Sequence, residues 1–196
     1  MSDPLPDAAL DRVFRDARTF NHYLDKPVSE TLLRAVWELM KWGPTSANQE
    51  PARIVWCTSD AAKEKLAACA SDTNGAKIRK APATAIVAMD LAFPEQLPRL
   101  YPHADARSWF AGKPDLVLES AARNSTLQGA YLIVAARMLG LDVGPMSGFD
   151  AKKVDEAFFP DSSLRTNFIA TLGYGDRETL HERLPRLAFE DANRFA

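Results

Sequence analysis

Several stretches of the chain carry side chains suited to gripping an anion and a polar heterocycle. Arg18-Thr19 pairs a guanidinium fork with a hydroxyl, a combination that fits a phosphate monoester. Pro44 to Asn48 (PTSAN) follows a helix stop; Thr45 and Ser46 offer hydroxyls and Asn48 an amide, although such a run is also an ordinary polar loop. Asn74 and Lys77, in NGAKIRK ahead of an apolar run, offer an amide edge and a cation, or else a solvated loop. Arg183 and Arg186 could complete an anion site, while arginines in a tail are commonly just solvated. Gly140 to Asp150, GLDVGPMSGFD, reads either as a cofactor loop or as a plain strand-to-helix turn. In it Gly140 stops a helix, Leu141 to Val143 begin an extended segment, and Gly144, Pro145, Ser147 and Gly148 make the chain turn. Pro145 lacks a backbone donor and Gly148 admits close approach, so a flat ligand could lie on the backbone of Pro145, Met146, Ser147 and Gly148.

Composition narrows the partners. At 196 residues, 46% hydrophobic and 26% charged, the chain reads as one domain spanning residues 1–196 with a sizeable core. A formal net charge of −2 and the lack of a basic stripe argue against nucleic acid, leaving a small-molecule substrate as the expected partner. The apolar runs are too short or too interrupted by charge to span a bilayer, no signal-peptide pattern opens the chain, and a cytoplasmic location is expected. Cys57, Cys69 and the histidines at 22, 103 and 181 show no zinc-type spacing, so no metal site is expected and the thiols read as structural.

The elements that must position these groups follow from periodicity. Asp7 can cap a helix with Leu10, Val13, Phe14 and Ala17 on one face. Ser29 starts a second, carrying Leu32, Leu33, Val36, Trp37 and Met40, which Gly43-Pro44 stops. Arg53 to Thr58 alternates as a strand, Asp60 to Ala70 is an amphipathic helix, SDTNG is a polar gap, and Lys77 to Lys80 is a short helix. Thr84 to Met89 reads as a strand buried on both faces, and Asn167 to Leu172 as another. Four prolines break Leu91 to Pro114, a stretch that could act as a lid. Asp115 to Leu139 is one long helix with a polar patch, Arg123 to Gln128, before the nearly all-apolar GAYLIVAARML, which belongs in mid-core. Ala151 to Phe159 is a short helix, and the tail from Asp176 is too polar for a core of its own.

Taken together, Arg18-Thr19, KWGPTSANQEP, Asn74-x-x-Lys77 before a strand, PMSGFD and LPRLAFED match, in order and along nearly the whole chain, the motifs of the FMN-dependent nitroreductases, a family this sequence resembles. ARTFN, PARIV, TAIVA, PHADARSWF and RLPRL look most similar to its malonic semialdehyde reductase subgroup, which serves pyrimidine breakdown. The resemblance implies an α+β, nitroreductase-like fold with a central, mostly antiparallel sheet flanked by helices, in an intertwined homodimer. It implies that Arg18, Thr19 and Arg186, with Arg183, hold the FMN phosphate, and that Asn74 meets the pyrimidine edge of the flavin with Asn21 and Lys77 nearby. The backbone of Pro145 to Gly148, Met146 included, would lie on one flavin face and direct an N–H of Ser147 or Gly148 at N5. Pro44, Thr45, Ser46 and Asn48 would line the same pocket, partly from the other subunit, and the patch Arg123 to Gln128 would sit in the dimer interface.

The activity implied is NADH- or NADPH-driven reduction of malonic semialdehyde to 3-hydroxypropionate by ping-pong hydride transfer through the flavin, without a triad or a GxGxxG fingerprint. For a carboxylate-bearing substrate, Arg107 would clamp the carboxylate while Trp109 or Phe110 closes over the ring. The alternatives are a quinone or nitro reductase of broad specificity and a non-catalytic flavin-binding dimer. Departures from the family pattern bear on these: Asn21 replaces a common second cation, which leaves Lys77 or His181 to compensate, Glu50 replaces a glutamine and Ala52 a tryptophan.

Overall fold

Alternation along β2 (Ala83–Asp90) sets the architecture, because its odd and even residues serve different cores. In the computed structural model, which describes residues 3–196, Ala83, Ala85 and Val87 face one apolar cluster while Ile86 and Ala88 face another. Among the described residues four strands form one sheet in the order β1-β2-β4-β3, with β1 at Ala52–Cys57, β3 at Asp142–Met146 and β4 at Leu164–Gly173. Every pairing is antiparallel, and a bulge after Val87 interrupts the β2–β4 ladder. Helices α2 (Glu30–Met40) and α6 (Pro114–Met138) cover the first face, burying Leu33, Val36, Met40, Leu132 and Ala136. Helices α3 (Asp60–Ala67), α4 (Asp72–Lys80) and α7 (Ala151–Phe158) cover the second with Leu66, Ile78 and Val154. At roughly 1.5–3 kcal/mol for each fully buried aliphatic side chain, these two layers dominate the folding energetics. The α+β expectation of an antiparallel sheet flanked by helices therefore holds.

Ser29 caps α2 as read, its hydroxyl accepting from the Leu32 N–H at 3.2 Å. Asp7 does not cap. It lies inside the first turn of α1 (Asp7–Leu10) behind Pro6 and pairs with Arg15 at 2.9 Å instead. The chain then widens into a π-turn, Asp11–Arg15, rather than running on as α-helix. The presumed gap SDTNG and the short helix after it are a single helix, α4. Gly75, which weakens helix propensity, is there because a Cβ would lie 3.0 Å from the Ala67 carbonyl, so its absence lets α3 and α4 approach.

Of two further readings, one holds and one needs correction. Leu91 to Pro114 is irregular, as its prolines require, but it has its own small core: Phe93, Leu97, Ala106 and Phe110 pack on Ala121, around short 3-10 turns and α5 (Leu97–Leu100). The apolar half of α6 is not buried all round. The sheet and α2 cover one side, leaving Tyr131 and Met138 exposed along the other, in line with Leu116 and Leu127 earlier in the helix.

β3 is an edge strand, which is where a proline such as Pro145 can sit without removing a ladder bond. Strand structure runs through Gly144, Pro145 and Met146, so the turn comes later than expected, at Ser147 to Asp150. Along the free edge of β3 the Arg18–Phe20 segment is laid down, with a parallel bridge between Thr19 and Val143 and the Phe20 N–H donating to the Val143 carbonyl at 3.4 Å. Only glycine permits this at 144, since a Cβ would stand 2.3 Å from the Phe20 carbonyl oxygen and 2.7 Å from Thr171 Oγ1. Because a backbone oxygen cannot swing aside like a rotamer, Gly144→Ala should destabilise the protein by about 1–3 kcal/mol. A urea titration that shows no drop in the unfolding midpoint would refute this placement.

Candidate functional site

The widened turn at Asp11–Arg15 exposes carbonyls at the C-terminal end of the first helix, and arginines take them. Arg183 donates to the carbonyls of Arg15 (2.6 Å) and Ala17 (3.0 Å), and Arg137 Nη1 donates to that of Val13 (3.0 Å). Arg18 in turn donates to the His181 carbonyl, so the tail is tied back over the helix end. Between these contacts lies a cleft of about 720 Å³ lined by Arg18, Thr19, Arg137, His181, Arg183 and Arg186. Of the basic groups here Arg137 was not anticipated. Its lone charge in an otherwise apolar helical run was the available signal, but a cation in the last turn of a helix has a sufficient local explanation in the helix dipole. Burial pushes its guanidinium pKa down, Asp142 pushes it back up, and Arg183 lowers it further. Arginine stays charged regardless. Its buried Nε has no hydrogen-bond partner among the described residues. Clustered like charges are what a dianion such as a phosphate monoester would relieve.

The segment that carries Arg18 and Thr19 into this cleft carries Asn21 and His22 into a second, of about 330 Å³, shared with Thr73, Ala76, Lys77 and Lys80 of α4. Lys77 and Lys80 thus sit beside Asn21 and restore positive charge there. His181 does not, since it belongs to the first cleft. Next to this, Asn74 Nδ2 donates to the Gly148 carbonyl at 3.1 Å and the Ser71 N–H to the same oxygen at 3.2 Å. A Cβ at Gly148 would stand 2.6 Å from Asn74 Nδ2, so glycine is what lets the amide approach. Pro145, Ser147 and Gly148 are exposed while Met146 is half-buried against the α3–α7 layer, leaving a shelf of backbone at the end of β3. Arg18, Thr19, Asn21, Asn74, Lys77, Pro145 to Gly148, Arg183 and Arg186 are thereby gathered around one sheet edge.

The remaining candidates form a second group. Pro44 to Pro51 turns sharply, with Ala47, Asn48 and Glu50 at φ of 47°, 49° and 42°. Left-handed conformations cost non-glycine residues of order 1–3 kcal/mol each, somewhat less for asparagine. The loop is held from α6: Asn124 Oδ1 accepts from the Ser46 N–H (2.8 Å), Gln128 Oε1 from the Ala52 N–H (2.8 Å), and Ser120 Oγ donates to Gln49 Oε1 (2.8 Å). The patch expected at an interface is therefore partly internal, with Asn124, Ser125 and Gln128 buried within the chain and Arg123 and Thr126 exposed. Asn48 Nδ2 donates to the Leu100 carbonyl at 2.9 Å, which ties the loop to the proline-broken segment. There Arg107 is exposed and paired with Glu95 at 2.7 Å, and Trp109, 45% exposed, packs edge-on to Tyr101. Phe110 presents no free face. It is 8% exposed and T-stacked on Phe93 at 4.9 Å, so packing rather than a ligand accounts for it.

Among the described residues no helix is long and apolar enough to cross a membrane, and no cluster of His, Cys, Asp or Glu is placed to hold a metal.

A family model described as the nitroreductase family matches residues 14–174. A relative from Stenotrophomonas maltophilia (strain R551-3) is 57% identical over 196 residues, with 100% of each chain covered, and bears the provisional name NADH dehydrogenase/NAD(P)H nitroreductase. Among solved structures, a nitroreductase family protein from Streptococcus pneumoniae TIGR4 is similar at a TM-score of 0.82 and 22% identity, over 96% of this chain and 98% of that one. A protein from Exiguobacterium sibiricum 255-15, described provisionally as a nitroreductase and solved in complex with FMN, is similar at a TM-score of 0.87 and 19% identity, with 100% of each chain covered.

The arginine cleft makes a direct prediction. Inorganic phosphate should raise the melting temperature by selective binding to the folded state, and Arg137→Met should shrink that increment even after its own loss of stability is subtracted. An increment unchanged in the variant would take Arg137 out of the anion site.

Proposed function

This chain belongs to the nitroreductase family, and from that premise we propose that it is an FMN-dependent NAD(P)H oxidoreductase. The observation that carries the reading is the cleft lined by Arg18, Arg137, Arg183 and Arg186, from which the segment of Thr19 and Asn21 runs along the edge of β3, the strand that ends in the backbone shelf of Pro145 to Gly148. The presence of FMN in the structurally similar Exiguobacterium protein supports the same cofactor here. Arg18, Thr19, Arg137, Arg183 and Arg186 would hold its phosphate, and Asn21, Asn74 and Lys77 the polar edge of its ring. Bound FMN would supply the redox chemistry, relaying hydride from NAD(P)H to an acceptor.

The protein's share is position and electrostatics. The shelf at Pro145 to Gly148 would exclude water from one ring face and leave the other open, so reductant and acceptor occupy a single place in turn and ping-pong kinetics follow. Lys77 and Lys80 beside Asn21 place positive charge where the family's second cation is missing, favouring an anionic ring edge.

The loop Pro44, Thr45, Ser46 and Asn48 hydrogen-bonds to α6 and Leu100, away from this cluster. We therefore assign it to the flavin pocket of a second copy in an intertwined homodimer. The exposed stripe Leu116, Leu127, Tyr131 and Met138 on α6, with Leu184, Leu187 and Phe189 of the tail, supplies the apolar surface such a dimer would bury.

For the acceptor, the favoured reading is malonic semialdehyde, with Arg107 binding its carboxylate and Trp109 flanking it. The Arg107–Glu95 pair both fixes the guanidinium and competes for it, and this favours as a second reading a quinone or nitro acceptor that needs no clamp. The purified protein should be yellow and should bleach on mixing with NADH or NADPH, and a colourless protein that takes up no FMN would sink the proposal. Arg18→Ala should weaken FMN binding roughly 10- to 100-fold, the range expected for a charged hydrogen bond worth about 1.5–3 kcal/mol. Arg107→Ala should raise KM for the semialdehyde and leave nitro reduction untouched, and an unchanged KM would transfer preference to the second reading.

A further inference from the structure

The loop from Pro44 to Pro51 is held in a shape its own residues disfavour. Ala47, Asn48 and Glu50 all sit in the left-handed region, and no glycine relieves them. Local bonds alone are modest: the Asn48 N–H to the Thr45 carbonyl at 3.1 Å, the Gln49 N–H to the Ser46 carbonyl at 3.1 Å, and the Glu50 N–H to Thr45 Oγ1 at 3.2 Å. What over-determines the loop is a row on α6. Ser120, Asn124 and Gln128 recur every fourth residue, so they share one helix face, and all are buried.

Two members bond the loop itself, and the third bonds the residue at which it enters β1. Asn124 uses both ends of its amide, accepting from the Ser46 N–H and donating to Gln49 Oε1 at 3.2 Å, the same oxygen that receives the Ser120 hydroxyl. Gln49 is itself 2% exposed, so its side chain is a plug drawn from the loop into the helix face. Gln128 gives its oxygen to the Ala52 N–H at the start of β1 and leaves Nε2 buried without a partner. An apolar residue would avoid that orphan donor, but it would leave the Ala52 N–H without its acceptor. Polar groups are thus buried at this helix face where each can seize the loop, and the strain lies in the part of the loop that carries Thr45, Ser46 and Asn48.

We propose that Ser120, Asn124 and Gln128 are positioning residues which hold the Thr45–Glu50 loop in its strained, binding-competent conformation. The role rests on the reading that this loop lines a flavin pocket, whichever copy of the chain holds the flavin. None of the row need touch the cofactor. Its members act through the backbone at Ser46 and Ala52 and through the side chain of Gln49.

The test uses the full-length protein and FMN itself, followed by quenching of flavin fluorescence and by visible circular dichroism of the bound ring. Asn124→Ala should raise the Kd for FMN about tenfold and alter the flavin dichroism. Ser120→Ala, a milder change that covers the case of Asn124→Ala failing to fold, should raise it two- to threefold. Ala47→Gly, which makes the left-handed conformation easier, should recover part of the loss when combined with either variant, each double variant being compared with Ala47→Gly alone. A role confined to folding would lower the melting temperature while leaving Kd and dichroism alone, and glycine at 47 would rescue nothing. Either result, in a wild type that binds FMN, would overturn the positioning role alone. A wild type that binds no FMN would overturn the flavin reading and this role with it.

Discussion

The close passage of the Phe20 carbonyl over Gly144 is the contact on which the rest of the candidate site depends. It lets an irregular segment run along the free edge of β3, so that successive residues of that segment serve neighbouring clefts: Arg18 and Thr19 the arginine cleft, Asn21 and His22 the lysine cleft. The same edge strand leads directly into the shelf that Asn74 and Gly148 secure. A sheet edge is normally a liability because its backbone groups are unpaired. Here part of that edge is consumed by the segment that brings in the charged groups.

Helix α6 connects this edge to the rest of the molecule. Its last turn supplies Arg137 to the anion cleft, and its middle supplies Asn124 to the strained loop and Gln128 to the start of β1 that follows it. Between them, Leu132, Ala135 and Ala136 anchor the helix to the sheet, while Tyr131 and Met138 remain outside. One helix therefore contributes to both groups of candidate residues.

The parts of this that were legible in the sequence share a local cause. Ser29 caps its helix because a hydroxyl there reaches the third N–H, and Thr84 to Met89 reads as a strand because an apolar run too short for a helix and carrying β-branched Thr, Ile and Val fits a doubly covered sheet. Arg18, Asn74, Lys77 and the PMSG shelf were visible as motifs. Their grouping at one edge required long-range pairing. The misreadings have the opposite cause. Ser71 to Gly75 looks like a gap because Asp, Thr, Asn and Gly are poor helix formers, and packing on α3 overrode that preference. Phe110 looks like a lid residue until Phe93 is seen against it. Nor could the sequence show that Asn124 and Gln128 bond to Ser46 and Ala52 within the same chain.

By itself the sequence determined the kinds of groups available, their order along the chain, and the turns, caps and periodicities that depend on neighbours within a few residues. Tertiary structure alone decided which arginines converge, that Arg137 joins them, that Gly144 and Gly148 are glycines because other segments press against them, and that Ala47, Asn48 and Glu50 are bent into a conformation they disfavour. The physical reason is one of range. Capping and periodicity act over a turn or two of backbone, whereas steric contact and burial act between residues that become neighbours only after the sheet has closed.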